Sequence, residues 1–513
     1  MSHHTLVIGS GIGGLTAAAA LARCGHRVTV LEQHTTLGGM TQTFSRQGFT
    51  FGTGLHYIGG CADAPGPAGH FRRLLQWLGD GSLRFAPLPN PFDAVRLLGA
   101  GPLGSELRFD FGHPQADNLA RLAERFPDEA EGLARYDAAW KDAQRTAMQI
   151  LPLHGLPGPA ATVMRWVRGA SLQRAASVTV AEALSGIRSP VLRDLLAARG
   201  GDYGLAPQEA PLVVHALVLG SYEWGAWYPE GGPQRLSESL GATVTAAGGA
   251  LRTGATVRRI VVDGGHARGV ELDSGERLTA DTVVSAMGAT NTVRALPAQT
   301  APDWQAAITA LPPSGSYLAL FLGFEGSLRD AGVDGANHWI YRQGPQQLEW
   351  DDPTEGDAPS LFVSFGALND PAHHGGHTAE VLAPASWAFF RRWQESALGH
   401  RPEDYEATKA WIAESLLRQF GELFPALRER VVFHELGTPL SHAAYARAAQ
   451  GAMYGLRLSA ERLLAPALHA RSPVPGLLLA GQDVSSLGIQ GAAMGGLMAA
   501  ATQEPRLWRR LRS

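Results

Sequence analysis

The spacing of apolar and polar residues changes period several times along the chain, and each change marks an element. Leu6–Ile8 form a continuous apolar run, the pattern of a strand covered on both faces. A glycine-dense stretch follows, Gly9-Ser10-Gly11-Ile12-Gly13-Gly14. An alanine-rich run then predicts a helix, with Gly25 as its stop. Arg27–Leu31 alternates as a second strand, so the order is strand, turn, helix, strand. Residues 250–288 read as short strands around an Asp-Gly-Gly-His turn, ending in the buried run Thr-Val-Val-Ser. At 476–500 an apolar strand meets Gly-Gln-Asp, a glycine-containing turn and a helix of small residues. This alternation predicts an α/β protein.

The 513 residues exceed one ordinary core and predict two or three domains. A hydrophobic fraction of 45% with 18% charged residues suits a globular protein with much buried surface. A net charge of −4 supplies no electrostatic reason to bind nucleic acid. Cys24 and Cys61 stand far apart and in no metal-binding spacing, which argues against a disulfide framework or structural zinc. No signal-like segment precedes the first apolar run, and no run reaches the roughly 18 residues of a membrane span; "APLVVHALVLG" is too short. A cytoplasmic protein is expected, soluble or peripheral at a membrane.

Gly9, Gly11 and Gly14 have the G-x-G-x-x-G spacing of a dinucleotide fingerprint. The first glycine makes the tight turn, the second admits a pyrophosphate, and the third lets helix and strand pack closely. Ile12 and Gly13 open the helix, whose free N–H groups and positive dipole end face the phosphates. Glu32, ending the second strand, can accept both hydroxyls of an unphosphorylated ribose, which disfavours NADP. FAD and NAD both remain open on these residues.

Gly38-Gly39 stand at E-x5-G-G spacing in "EQHTTLGGM". This extended fingerprint resembles that of FAD enzymes of the amine oxidase and phytoene desaturase superfamily. Many members carry Arg after the Gly-Gly where this chain has Met40, which removes one charged phosphate contact. The resemblance implies that Gln33, Thr41, Ala286, Gln490 and Gly491 also border the cofactor and that Val257 meets its adenine side. In the same resemblance Gly481 and Asp483 offer a carboxylate to the ribityl chain. The helix after Gly488 aims its positive end at the flavin edge that becomes negative on reduction. It further implies a discontinuous FAD-binding domain of residues 1–85, 241–310 and 456–513. A substrate domain of mixed sheet and helices, 86–240 and 311–455, would be inserted in it, its first part helical.

"GFTFGTGLHYIGG" (48–60) reads from its residues either as a tight connection between strands or as a loop along a cofactor face. It resembles a segment of the all-trans-retinol 13,14-reductases (retinol saturases), which neighbour the carotenoid isomerases and phytoene desaturases. The likeness recurs in order in the His215 segment, in "SLFVSFGALNDPAHHG", in the Thr-Pro-Leu segment with Tyr445 and Tyr454, and in "AGQDVSSLGIQGA". It implies hydrogen transfer across a carbon–carbon bond of a lipophilic conjugated polyene. His56 and Tyr57 would be proton donors at the flavin–substrate boundary, with His215, Tyr445 and Tyr454 in the substrate pocket.

The alternatives are a redox-neutral isomerase using reduced FAD, a reductive or cyclising enzyme of polyene natural products, and a GDP-dissociation-inhibitor-like lipid-binding protein without redox chemistry. Amine oxidation is disfavoured because neither Lys141 nor Lys409 lies in a segment matching the flavin-side lysine. The chain has no second fingerprint in strand–turn–helix context, so an external electron donor or acceptor of unknown identity is expected. Trp166 between Arg165 and Arg168, and the C-terminal "LWRRLRS", fit a solvated helix face or peripheral membrane contact. His373, His374 and His377 lie in a Gly/Pro-rich turn, and no metal is expected there.

Overall fold

A computed structural model describes residues 3–101, 104–156 and 158–510. The fingerprint strand His4–Ile8 lies at the centre of a five-stranded parallel sheet. Its order is Leu477–Leu479, Thr282–Ser285, His4–Ile8, Arg27–Leu31, Ala250–Arg252. Three distant stretches of chain thus complete one sheet; Leu477–Leu479 and Thr282–Ser285 are buried throughout, while the edge strand Ala250–Arg252 stays partly exposed.

The helix Ile12–Arg23 is buried over nearly its whole length because its alanines and glycines let other backbones come close. Its main partner is the C-terminal helix Gly488–Gln503. A Cβ on Gly496 would stand 2.0 Å from the Gly13 carbonyl oxygen, and one on Gly13 would stand 2.6 Å from the Gly481 Cα. Small residues at this crossing therefore set the distance between the two helices.

A second, mixed sheet has seven strands. Its order is Val431–Gly437, Ser316–Phe324, His377–Ala385, Ser360–Ser364, Asn337–Tyr341, Asp93–Leu97, Leu107–Phe111. The pairings are antiparallel except that of Asn337–Tyr341 with Asp93–Leu97. Segment 86–240, expected to be helical, thus begins with two strands of this sheet, as the alternation in Leu107–Phe111 allows. Long helices Ala130–Ile150 and Gly158–Ser177 follow it.

The two parts interlock more than a cut by sequence implies. The expected boundary at 240/241 falls inside the helix Gln234–Ala246, whose Leu236, Leu240 and Val244 share a core with the fingerprint helix. The hairpin Thr43–Arg46/Phe49–Gly52 leaves the nucleotide part and lays Phe44 and Phe51 on Phe321 of the large sheet, with ring centroids 4.9 and 5.4 Å apart. Among the described residues no helix is long and apolar enough to cross a membrane.

Candidate functional site

A single cavity of about 1510 Å³ runs between the two sheets, well above the ~300–1,000 Å³ of a pocket for one drug-sized ligand. One end is built by the fingerprint. Gly9 (φ +92°) makes the turn, and a Cβ on Gly14 would collide with the Gly9 carbonyl at 2.0 Å, so Gly14 supports packing and does not line the cavity. Gly11 is different. Its φ of −58° suits any residue and a Cβ there would meet nothing within 4 Å, so its missing side chain leaves room in the cavity rather than freedom in the backbone. Gly38 and Gly39, both at positive φ, bring a second backbone beside Gly11. The helix Ile12–Arg23 has no side-chain cap and no acid in its first turn, which leaves its N–H groups for an anion.

Glu32 is oriented by a residue that sequence reasoning passed over. Ser10 donates to Glu32 Oε2 from its backbone N (2.9 Å) and from its hydroxyl (2.6 Å), and its Oγ accepts from Gly38 N. His34 N donates to Oε1 at 2.8 Å. Gln33, Val257 and Ala286 line the same end, while Thr41 is buried and ties its hydroxyl to the Gly38 carbonyl. Met40 lies against Gly54.

The C-terminal helix presents a second uncapped N-terminus to the cavity at Gly488–Gly491. Gln490 Nε2 donates to the Gly59 carbonyl at 2.6 Å, which pins the loop 53–60 to this helix. Asp483, with Gly481 on the cavity wall, has both oxygens engaged by backbone, Ala289 N at 2.8 Å and Leu456 N at 3.0 Å. Its first task is to staple three segments, beyond the ribityl contact expected of it.

The loop after the hairpin carries His56 and Tyr57 into the middle of the cavity. His56 Nδ1 stands 2.8 Å from Glu380 Oε2 of the large sheet, off the line of a straight hydrogen bond. Gly52 N donates to the other Glu380 oxygen at 3.1 Å, and Phe362 meets the imidazole edge-on at 5.1 Å. Tyr57 turns its hydroxyl away toward Asp93 Oδ2, 3.5 Å off, and burial pushes that phenol well above its usual range. It is a poor proton donor for that reason. Tyr454 lies on the wall, also raised by burial.

Of the other expected pocket residues, His215 stands behind the wall and Tyr445 lines the cavity at its nucleotide end. His215 is fully buried behind the wall, its Nε2 and Nδ1 taken by Tyr136 Oη (3.0 Å) and Tyr203 Oη (2.8 Å). Burial lowers its pKa to about 3, so it is a neutral structural histidine. Its helix, Leu212–Gly220, gives Leu217 and Val218 to the cavity wall and keeps His215 off it. Tyr445 is 52% exposed and sits at the nucleotide end, its carbonyl accepting from Gln33 Nε2 at 3.0 Å and its ring 6.0 Å from His34. Lys409 reaches the cavity rim, while Lys141 pairs with Asp137 on a helix surface. Among the described residues no group of three potential metal ligands gathers.

The parallel sheet, glycine cradle, acid and two open helix ends define a dinucleotide-binding protein. The family described as flavin containing amine oxidoreductase matches residues 12–502, and the chain belongs to it. The all-trans-retinol 13,14-reductase of Rattus norvegicus is 32% identical over 519 aligned residues, covering 96% of this chain and 84% of that one. A chloroplastic prolycopene isomerase of an Oncidium hybrid is 27% identical, covering 86% and 73%. The cyclohexylamine oxidase structure from Brevibacterium oxydans shares the fold with a TM-score of 0.61 at 19% identity, covering 99% of this chain and 100% of that one. The cofactor is FAD, and the residues present fit it: a cradle that a Cβ on Gly11 would fill, an acid at ribose position and no acid at either helix N-terminus.

Proposed function

We propose that the protein saturates a carbon–carbon double bond of a lipophilic conjugated polyene of retinoid or carotenoid type. One observation carries the reading: the cofactor end of the cavity opens, past His56, into a chamber walled by Leu348, Phe362 and Leu382. Such walls reward burial of a long apolar molecule by roughly 25 cal/mol per Å² and keep water from the reacting carbons. The kinship with retinol 13,14-reductases supports this reaction, and kinship with a prolycopene isomerase supports redox-neutral isomerisation as the second reading.

When bound in reduced form, FAD supplies hydride to one carbon of the double bond. The cradle of Gly11, Gly38 and Gly39 would hold the pyrophosphate, Glu32 the ribose, and the N-terminus at Gly488 the pyrimidine edge of the ring. His56, held by Glu380, fixes one side of the passage between ring and chamber. The neighbouring carbon then takes a proton from the wall.

Peripheral docking on a membrane completes the proposal. Met148, at the cavity wall, is exposed, and so are Val163, Trp166 and Val167 of the helix Gly158–Ser177. An apolar patch beside the mouth suits uptake from a lipid surface. Residues 511–513 of the C-terminal basic stretch lie outside the described residues. The reaction is tested by photoreducing the holoenzyme without oxygen and adding a retinol-like polyene. Oxidised flavin with a product two hydrogens heavier is expected; a product of unchanged mass over still-reduced flavin would mean isomerase.

A further inference from the structure

Resting on the polyene-saturase reading, we propose that Asp202 is the acid that protonates the substrate carbon next to the one that receives hydride. Asp202 ends the tight turn Ala198–Asp202 and lies on the cavity wall. The turn is braced from behind, since Tyr341 Oη donates to the Ala198 carbonyl. Gly201 lies flat on Trp339, where a Cβ would stand 2.5 Å from a ring carbon. Tyr222, also on the wall, lies beside the carboxyl group, yet Asp202 Oδ2 is buried with no hydrogen-bond partner. A buried carboxyl oxygen without a partner, bordering an apolar chamber, is what an acid waiting for a carbon needs.

Counting charge assigns the proton. Asp93 lies behind Asp202, 1% exposed, and interacts with it electrostatically. One cation serves both acids, Arg199, whose Nη1 is 3.9 Å from Asp93 Oδ2 and whose guanidinium stacks on Phe111 at 4.5 Å. His56 faces Asp202 from the loop side, with Glu380 beyond it. The other ionisable neighbours, Tyr57, Tyr203, Tyr222, Tyr341 and Tyr454, are buried phenols that stay neutral. Two carboxyl groups sharing one buried guanidinium retain one proton between them. Burial raises the pKa of both acids and Arg199 opposes the rise in each. Asp93 accepts from Tyr57 and Asn337 and faces Arg199, whereas Asp202 Oδ2 has no partner, so Asp202 keeps the proton.

The step balances. The Asp202 O–H bond breaks and a C–H bond forms with electrons of the substrate π bond. The other carbon gains hydride from the reduced flavin, which gives up two electrons. The Asp202 carboxylate left behind is offset by Arg199 and regains its proton from solvent. Asp202 takes over the role expected of Tyr57, and His56 acts as a positioning residue.

The test uses the photoreduced holoenzyme, the variants Asp202→Asn, Asp202→Glu and His56→Gln, and a retinol-like polyene. Wild-type flavin reoxidation should fall as pH rises through about 7. Asp202→Asn should bind flavin normally but slow that step by ~10²–10⁴ and lose the pH limb, while Asp202→Glu restores part of the rate. Should Asp202→Asn fail to fold, Asp202→Glu still reports by shifting the limb. A substrate-free readout accompanies this, a carboxylic-acid infrared band lost between pH 6 and 8 in wild type and missing in Asp202→Asn. Retention of wild-type rate and profile in Asp202→Asn, a limb removed by His56→Gln instead, or absence of the band would overturn the proposal. If no polyene reoxidises wild-type flavin while the band titrates as expected, the substrate reading fails and the protonated Asp202 stands.

Discussion

A buried titratable side chain is either an acid or base in waiting or a hydrogen-bonding strut, and its partners decide which. His215 has both nitrogens occupied by tyrosine hydroxyls, which makes it a strut. His215→Leu should leave those hydroxyls unpaired and lower unfolding free energy by ~2–4 kcal/mol in a urea titration, with flavin binding little changed in the folded fraction. Asp202 has the opposite environment, and its stability signature follows by linkage. Its folded pKa, about 7, lies above the ordinary 3.8, so the native state holds more protons between those values and stability falls as pH rises through that window. Asp202→Asn removes the penalty. Its thermal midpoint should exceed wild type at pH 8 and match it near pH 4, a difference that thermal scans at the two pH values measure. The fingerprint acid was legible in sequence because Glu32 stands at a set distance from the glycines. Glu380, Asp93 and Asp202 were not, because each comes from a separate segment and no local spacing marks them.

At the scale of elements, glycine does two unlike things in this fold, and two substitutions separate them. Gly11→Ala puts a methyl where the structure has open space, so folding should be unaffected while FAD affinity drops at least tenfold, read by flavin retention on a desalting column. Gly496→Ala lies outside the cavity lining, and its Cβ would meet the Gly13 carbonyl at 2.0 Å. The two helices must separate, which should cost ~2–4 kcal/mol in stability and release flavin only as the protein unfolds. The strand–turn–helix–strand opening could be read from sequence, since turn chemistry and periodicity are local. The strand Asp93–Leu97 was missed because its place in the large sheet depends on Asn337–Tyr341, more than two hundred residues away, and Leu107–Phe111 joins the sheet only through it.

For the whole molecule, the arrangement that matters is a cofactor cleft and an apolar chamber joined into one cavity, with exposed apolar side chains near the opening. Trp166, 86% exposed, dominates that patch. Trp166→Ser combined with Val167→Ser should reduce co-sedimentation with anionic phospholipid vesicles several-fold, while turnover of detergent-solubilised polyene stays at wild-type level. Equal sedimentation of variant and wild type would remove the membrane from the proposal. What the sequence determined by itself is the nucleotide end: glycines, acid and helix start lie within forty residues, where backbone geometry follows from spacing alone. It also carried enough scattered motifs to indicate the FAD-dependent superfamily. Only the tertiary structure decided that His215 is a strut, that Tyr445 stands at the nucleotide end, and that two acids share one arginine beside the chamber. Those outcomes depend on burial and on which distant segments meet, and burial is a property of the packed chain that no residue carries alone.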